Sequence, residues 1–66
     1  MSQEMKAAIE QSQRDLANIR DYHQNYLDRR RAHHVRTSTD MLMEQHQEQL
    51  ARTLDLLEAL KASLEE

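Results

Sequence analysis

Apolar and small residues recur in this chain at alternating steps of four and three, twice over and in mirrored order. From the N-terminal side the stripe reads Met5, Ile9, Ser12, Leu16, Ile19, His23 and Tyr26. From the C-terminal side it reads Leu64, Leu60, Leu57, Thr53, Leu50, His46 and Met43. Such spacing keeps one stripe of a helix turned towards a neighbour. Folded about a point near residue 34, the chain pairs positions whose numbers sum to 69, Met5 with Leu64, Ile19 with Leu50 and Tyr26 with Met43 among them. The pattern predicts an all-α fold, an antiparallel helical hairpin.

Composition removes the alternatives. The 66 residues include no Gly, Pro, Cys, Trp or Phe. Strands and tight turns draw on aromatics, β-branched residues and Gly, whereas this chain draws on Leu, Ala, Glu, Gln, Arg and Met, which favour helix. Without Cys there is no disulfide or thiolate metal site. No apolar run is long enough for a membrane span or a signal-peptide core. Met1 reads as a native start, and a cytoplasmic protein is expected.

One domain is expected, with helix 1 over about 3–32, a tip over about 33–39 and helix 2 over about 40–64. Ser2 is the expected N-cap of the first helix. Arg29, Arg30 and Arg31 gather where a helix C-terminus favours cations. Thr37, with Asp40 three residues later, approximates a capping box for the second helix. With no Gly for the C-terminal cap, His33 or His34 is the expected left-handed residue. The rival organisation, one continuous helix in a coiled-coil dimer, needs the phase slip between Tyr26 and Met43 to act as a stammer.

Helix 2 is broader in its apolar stripe than a two-helix contact requires, because Leu42, Leu54 and Leu56 flank the seam. A lone hairpin has one narrow seam, and the usual remedy for so small a core is association. The expected assembly is a homodimer forming a four-helix bundle, or a complex with a different protein.

Charge is uneven. Residues 1–28, 29–36 and 37–66 carry formal charges of −2, +4 and −5. Arg29, Arg30, Arg31 and Arg36, with His33 and His34, form a basic tip able to meet phosphates or an acidic surface. Net charge of −3 and an acidic second helix argue against an extended nucleic-acid interface, so RNA or DNA binding is the secondary reading. Tyr22, Tyr26, Leu27, Leu42, Leu54, Leu56 and Leu57 are the expected partner-binding residues. His23 and His46 fall in one layer and form an expected polar core layer that fixes register. A buried neutral pair there predicts that acid loosens the fold.

No metal site is expected, since the chain has no HExxH and no Glu-x-x-His, and no cofactor is expected. A chain without Gly has no Gly-rich phosphate loop, and no nucleophile–base signature is present, so the protein is not expected to be an enzyme. The function expected from these residues is a small interaction module, an adaptor, co-chaperone, inhibitor or regulator. In length and outline only, it resembles plasmid RNA-binding bundle dimers, type III secretion co-chaperones and small phage regulators. No residue motif ties it to any of these.

Overall fold

The computed structural model describes residues 3–33 and 35–65. Two helices of 28 residues each, α1 (Gln3–Arg30) and α2 (Ser38–Glu65), lie antiparallel. The hairpin measures 50 × 15 × 13 Å. It is all-α, and the continuous-helix alternative is overturned. Ser2, the expected cap of α1, lies outside the described residues, as does His34.

The turn differs in detail from expectation. α1 ends at Arg30, two residues early. Its last turn closes through Arg31 N–H donating to Leu27 O at 3.0 Å and His33 N–H donating to Arg30 O at 2.9 Å. The second bond spans three residues, the tighter closure that helix ends use when carbonyls lack partners. No described residue has positive φ, so His33 is not a left-handed cap. α2 starts at Ser38, two residues early, because Thr37 is its N-cap. Thr37 Oγ1 accepts from Asp40 N–H at 3.2 Å, and Asp40 Oδ2 accepts from Thr37 N–H at 3.0 Å. This reciprocal pair is a capping box with Asp in place of Glu.

The seam is rotated from the one read in the sequence. Every buried or half-buried residue of α2 belongs to the series Asp40, Met43, Gln47, Leu50, Leu54, Leu57, Lys61, Leu64. The matching series in α1 is Lys6, Ile9, Gln13, Leu16, Arg20, His23, Leu27 and Arg30, buried or half-buried throughout except at Arg20. Ile9, Leu16, His23, Met43, Leu50, Leu57 and Leu64 are in the seam as expected. Met5, Ser12, Ile19, His46, Thr53 and Leu60 are exposed instead. Tyr26, also expected in the seam, is half-buried beside it.

Cross-helix hydrogen bonds accompany the rotation. Gln13 Nε2 donates to Glu58 Oε2 at 2.8 Å, and Lys61 Nζ to Gln13 Oε1 at 3.5 Å. Gln47 Nε2 donates to the Arg20 carbonyl at 3.0 Å and to Gln24 Oε1 at 3.2 Å. Lys6 pairs with Glu65 at 2.9 Å. A stripe two columns wide cannot fit one two-helix contact. The hairpin buries the column whose long polar side chains reach across to each other, and leaves the neighbouring apolar column outside. Only Ile9, Leu27 and Leu50 are buried apolar residues among those described.

Candidate interaction surface

Leu27, Leu54 and Leu57 were expected to meet a partner. They sit in the intramolecular seam, Leu27 buried and the two α2 leucines half-buried. Their spacing of seven or three from other seam residues places them there, each turned towards the opposite helix.

The basic tip is largely neutralised from within. Arg30 grips the buried Asp40 through both ends of its guanidinium, Nε to Oδ1 at 3.2 Å and Nη2 to Oδ2 at 3.3 Å. The Thr37 backbone N–H, together with Arg30, holds the Asp40 carboxyl below the ordinary carboxylate range. Arg36 is bonded to Glu44, and Arg31 lies 3.8 Å from Asp28. Of the four tip arginines, Arg29 alone has no ion-pair partner among the described residues. Between the helix ends is an open cleft of about 430 Å3, lined in part by Leu27, Arg30, Val35, Arg36 and Gln47. Its carboxylates, Asp40 and Glu44, are both held by arginine, and it contains no Ser, Thr or Cys nucleophile.

His23 and His46 do meet. Their rings lie 5.1 Å apart, edge to face, and Tyr22 stands 5.9 Å from His23. The pair is not a sequestered core layer, however. His23 is half-buried and His46 exposed, because His46 belongs to the column beside the seam. His23 Nδ1 is itself buried with no hydrogen-bond partner. No group of three or more His, Cys, Asp or Glu is placed to hold a metal ion among the described residues. No helix is long and apolar enough to cross a membrane among them.

The two long flanks of the hairpin differ sharply. On an antiparallel pair, columns on the same side of both seams form one surface. One flank carries Ala7, Glu10, Arg14, Ala17, Asp21, Gln24 and Asp28 from α1 and Arg31 just past its end, with Met41, Glu44, Glu48, Ala51, Asp55, Glu58, Ala62 and Glu65 from α2. It holds eight acids against two arginines. The other flank carries Met5, Ala8, Ser12, Asp15, Ile19, Tyr22, Tyr26 and Arg29 from α1. From α2 it carries Thr39, Leu42, His46, Gln49, Thr53, Leu56, Leu60 and Ser63. Asp15 and Arg29 are its only formally charged residues, with His46 counted neutral. Leu56 is 70% exposed there, Tyr22 69% and Leu42 66%, with Leu60 and Ile19 also exposed.

Tyr22, Leu42 and Leu56 were expected at a partner surface and lie on this flank. Tyr26 borders it, half-buried. Ile19, Leu60 and His46 belong to the same surface and were assigned to the seam instead. The signal that separates them is the column next to the seam, one residue away at every turn. Comparison of the chain with family models, with curated proteins and with solved structures gave no match.

Proposed function

We propose that this protein is a non-enzymatic protein-interaction module, of the adaptor or regulator kind, whose working surface is the apolar flank. The hairpin is then half of a helical bundle completed by a partner. The carrying observation is the contrast between the flanks, one almost uncharged with Tyr22, Leu42, Leu56 and Leu60 exposed on it, the other acidic along its length. Large apolar side chains left exposed on one face in this way support a docking site. The tip supports the reading less, since Arg30 and Arg36 are committed to Asp40 and Glu44.

The test compares the flanks. Tagged protein carrying Leu56→Glu is expected to lose its bound partner in affinity capture. Asp55→Lys, one residue along on the acidic flank, is expected to retain it. Capture that survives Leu56→Glu overturns the proposal. So does a low-salt gel shift of mixed RNA and DNA that disappears in an Arg29→Ala/Arg31→Ala variant, since that outcome assigns the work to the tip.

A further inference from the structure

Resting on that reading, we infer that the occupant of the apolar flank is a second copy of this chain, docked flank to flank to close a four-helix bundle. The first support is area. A folded monomer of 7.9 kDa is expected to expose about 4,400 Å2. The hairpin, a rod of 50 × 15 × 13 Å, exposes 5210 Å2, about 800 Å2 more than a compact monomer; pairing along one long flank covers an area of the order that one partner contributes to a standard stable interface.

The second support is charge. A surface that meets its own copy brings each of its charges against the same set. The apolar flank carries one acid and one base, Asp15 and Arg29, so self-contact gathers no excess of either sign. The opposite flank would set eight acids and two arginines against the same set, a net like-charge contact that self-association disfavours.

The third support is the seam itself. Half of its positions are polar, including Gln13, Gln47, Lys6 and Lys61. No side chain is fully buried among the described residues. Stacking two hairpins through Ile19, Tyr22, Leu42, Leu56 and Leu60 adds a second set of apolar contacts to those of the seam. It also covers His46, so that the His23–His46 pair becomes interior to the bundle.

Sedimentation equilibrium between about 1 and about 200 μM tests this directly. The expected mass is twice 7.9 kDa, with a melting temperature that rises with concentration. Leu56→Glu is expected to weaken the dimer by about a hundredfold or more, and Leu42→Glu to act alike. Asp55→Lys is expected to leave the dimer intact. A helical monomer at the highest concentration, any other stoichiometry, or a dimer indifferent to both leucine variants overturns the inference. A monomer that still captures a foreign protein in a Leu56-dependent way removes the second copy alone and leaves the interaction reading standing. A monomer without such capture removes both.

Discussion

Asp40 does three jobs with one carboxylate. It completes the cap of α2 with Thr37, ties the start of α2 to the end of α1 through Arg30, and fills the space beneath the loop at 4% exposure. The cap was legible because Thr and Asp stand three apart before a helical stripe. The grip of Arg30 was not, because it depends on where the chain turns back. Removing the cap hydroxyl with Thr37→Ala is expected to cost about 1 kcal/mol, lowering the melting temperature by roughly 5 °C at fixed concentration. Asp40→Asn tests the charge. The folded carboxyl titrates below its ordinary value of 3.8, so its contribution is complete above about pH 5 and is lost as pH falls through the folded value. The native protein is therefore expected to melt several degrees above Asp40→Asn at neutral pH, and the gap to shrink as pH falls through the folded value. A gap unchanged between pH 7 and pH 3 would show that shape alone, and not ionisation, matters at this position.

At the scale of the helices, periodicity revealed that two antiparallel elements exist and roughly where they end. It did not reveal which of two adjacent columns faces inward. Ile9, Leu16, Leu50 and Leu57 are common to both choices, whereas Ile19 and Leu60 seemed better core residues than Gln13 and Lys61 on hydropathy alone. Cross-helix bonds such as Gln13 to Glu58 go with the observed choice, and single-sequence patterns do not register such pairs. The rotation has a sharp experimental signature at two neighbouring leucines. Leu57→Ala removes half-buried seam contacts and is expected to cost about 1–2 kcal/mol in the hairpin itself. Leu56→Ala is expected to leave dilute-solution helicity nearly unchanged while weakening association. Circular dichroism as a function of concentration separates the two; equal loss of helicity in both variants at low concentration would refute the observed rotation.

On the scale of the whole molecule, the charge asymmetry read along the sequence proved less informative than the asymmetry across the hairpin. The run of arginines at residues 29–36 drew attention to the tip, yet folding brings Asp28, Asp40 and Glu44 to it. The difference between the flanks appears only once two helices are set side by side, each contributing two columns. The same geometry bears on how the chain reaches its final state. Arg30 and Asp40 are ten residues apart, and closing a loop of that size takes about 10–100 ns. Lys6 and Glu65 must wait for everything between them. The molecule should therefore zip from the bend outwards, the Arg30–Asp40 latch forming first and the free ends last. Amides near the chain ends should exchange with deuterium soonest, and those around Leu27 and Met43 should be the slowest to yield.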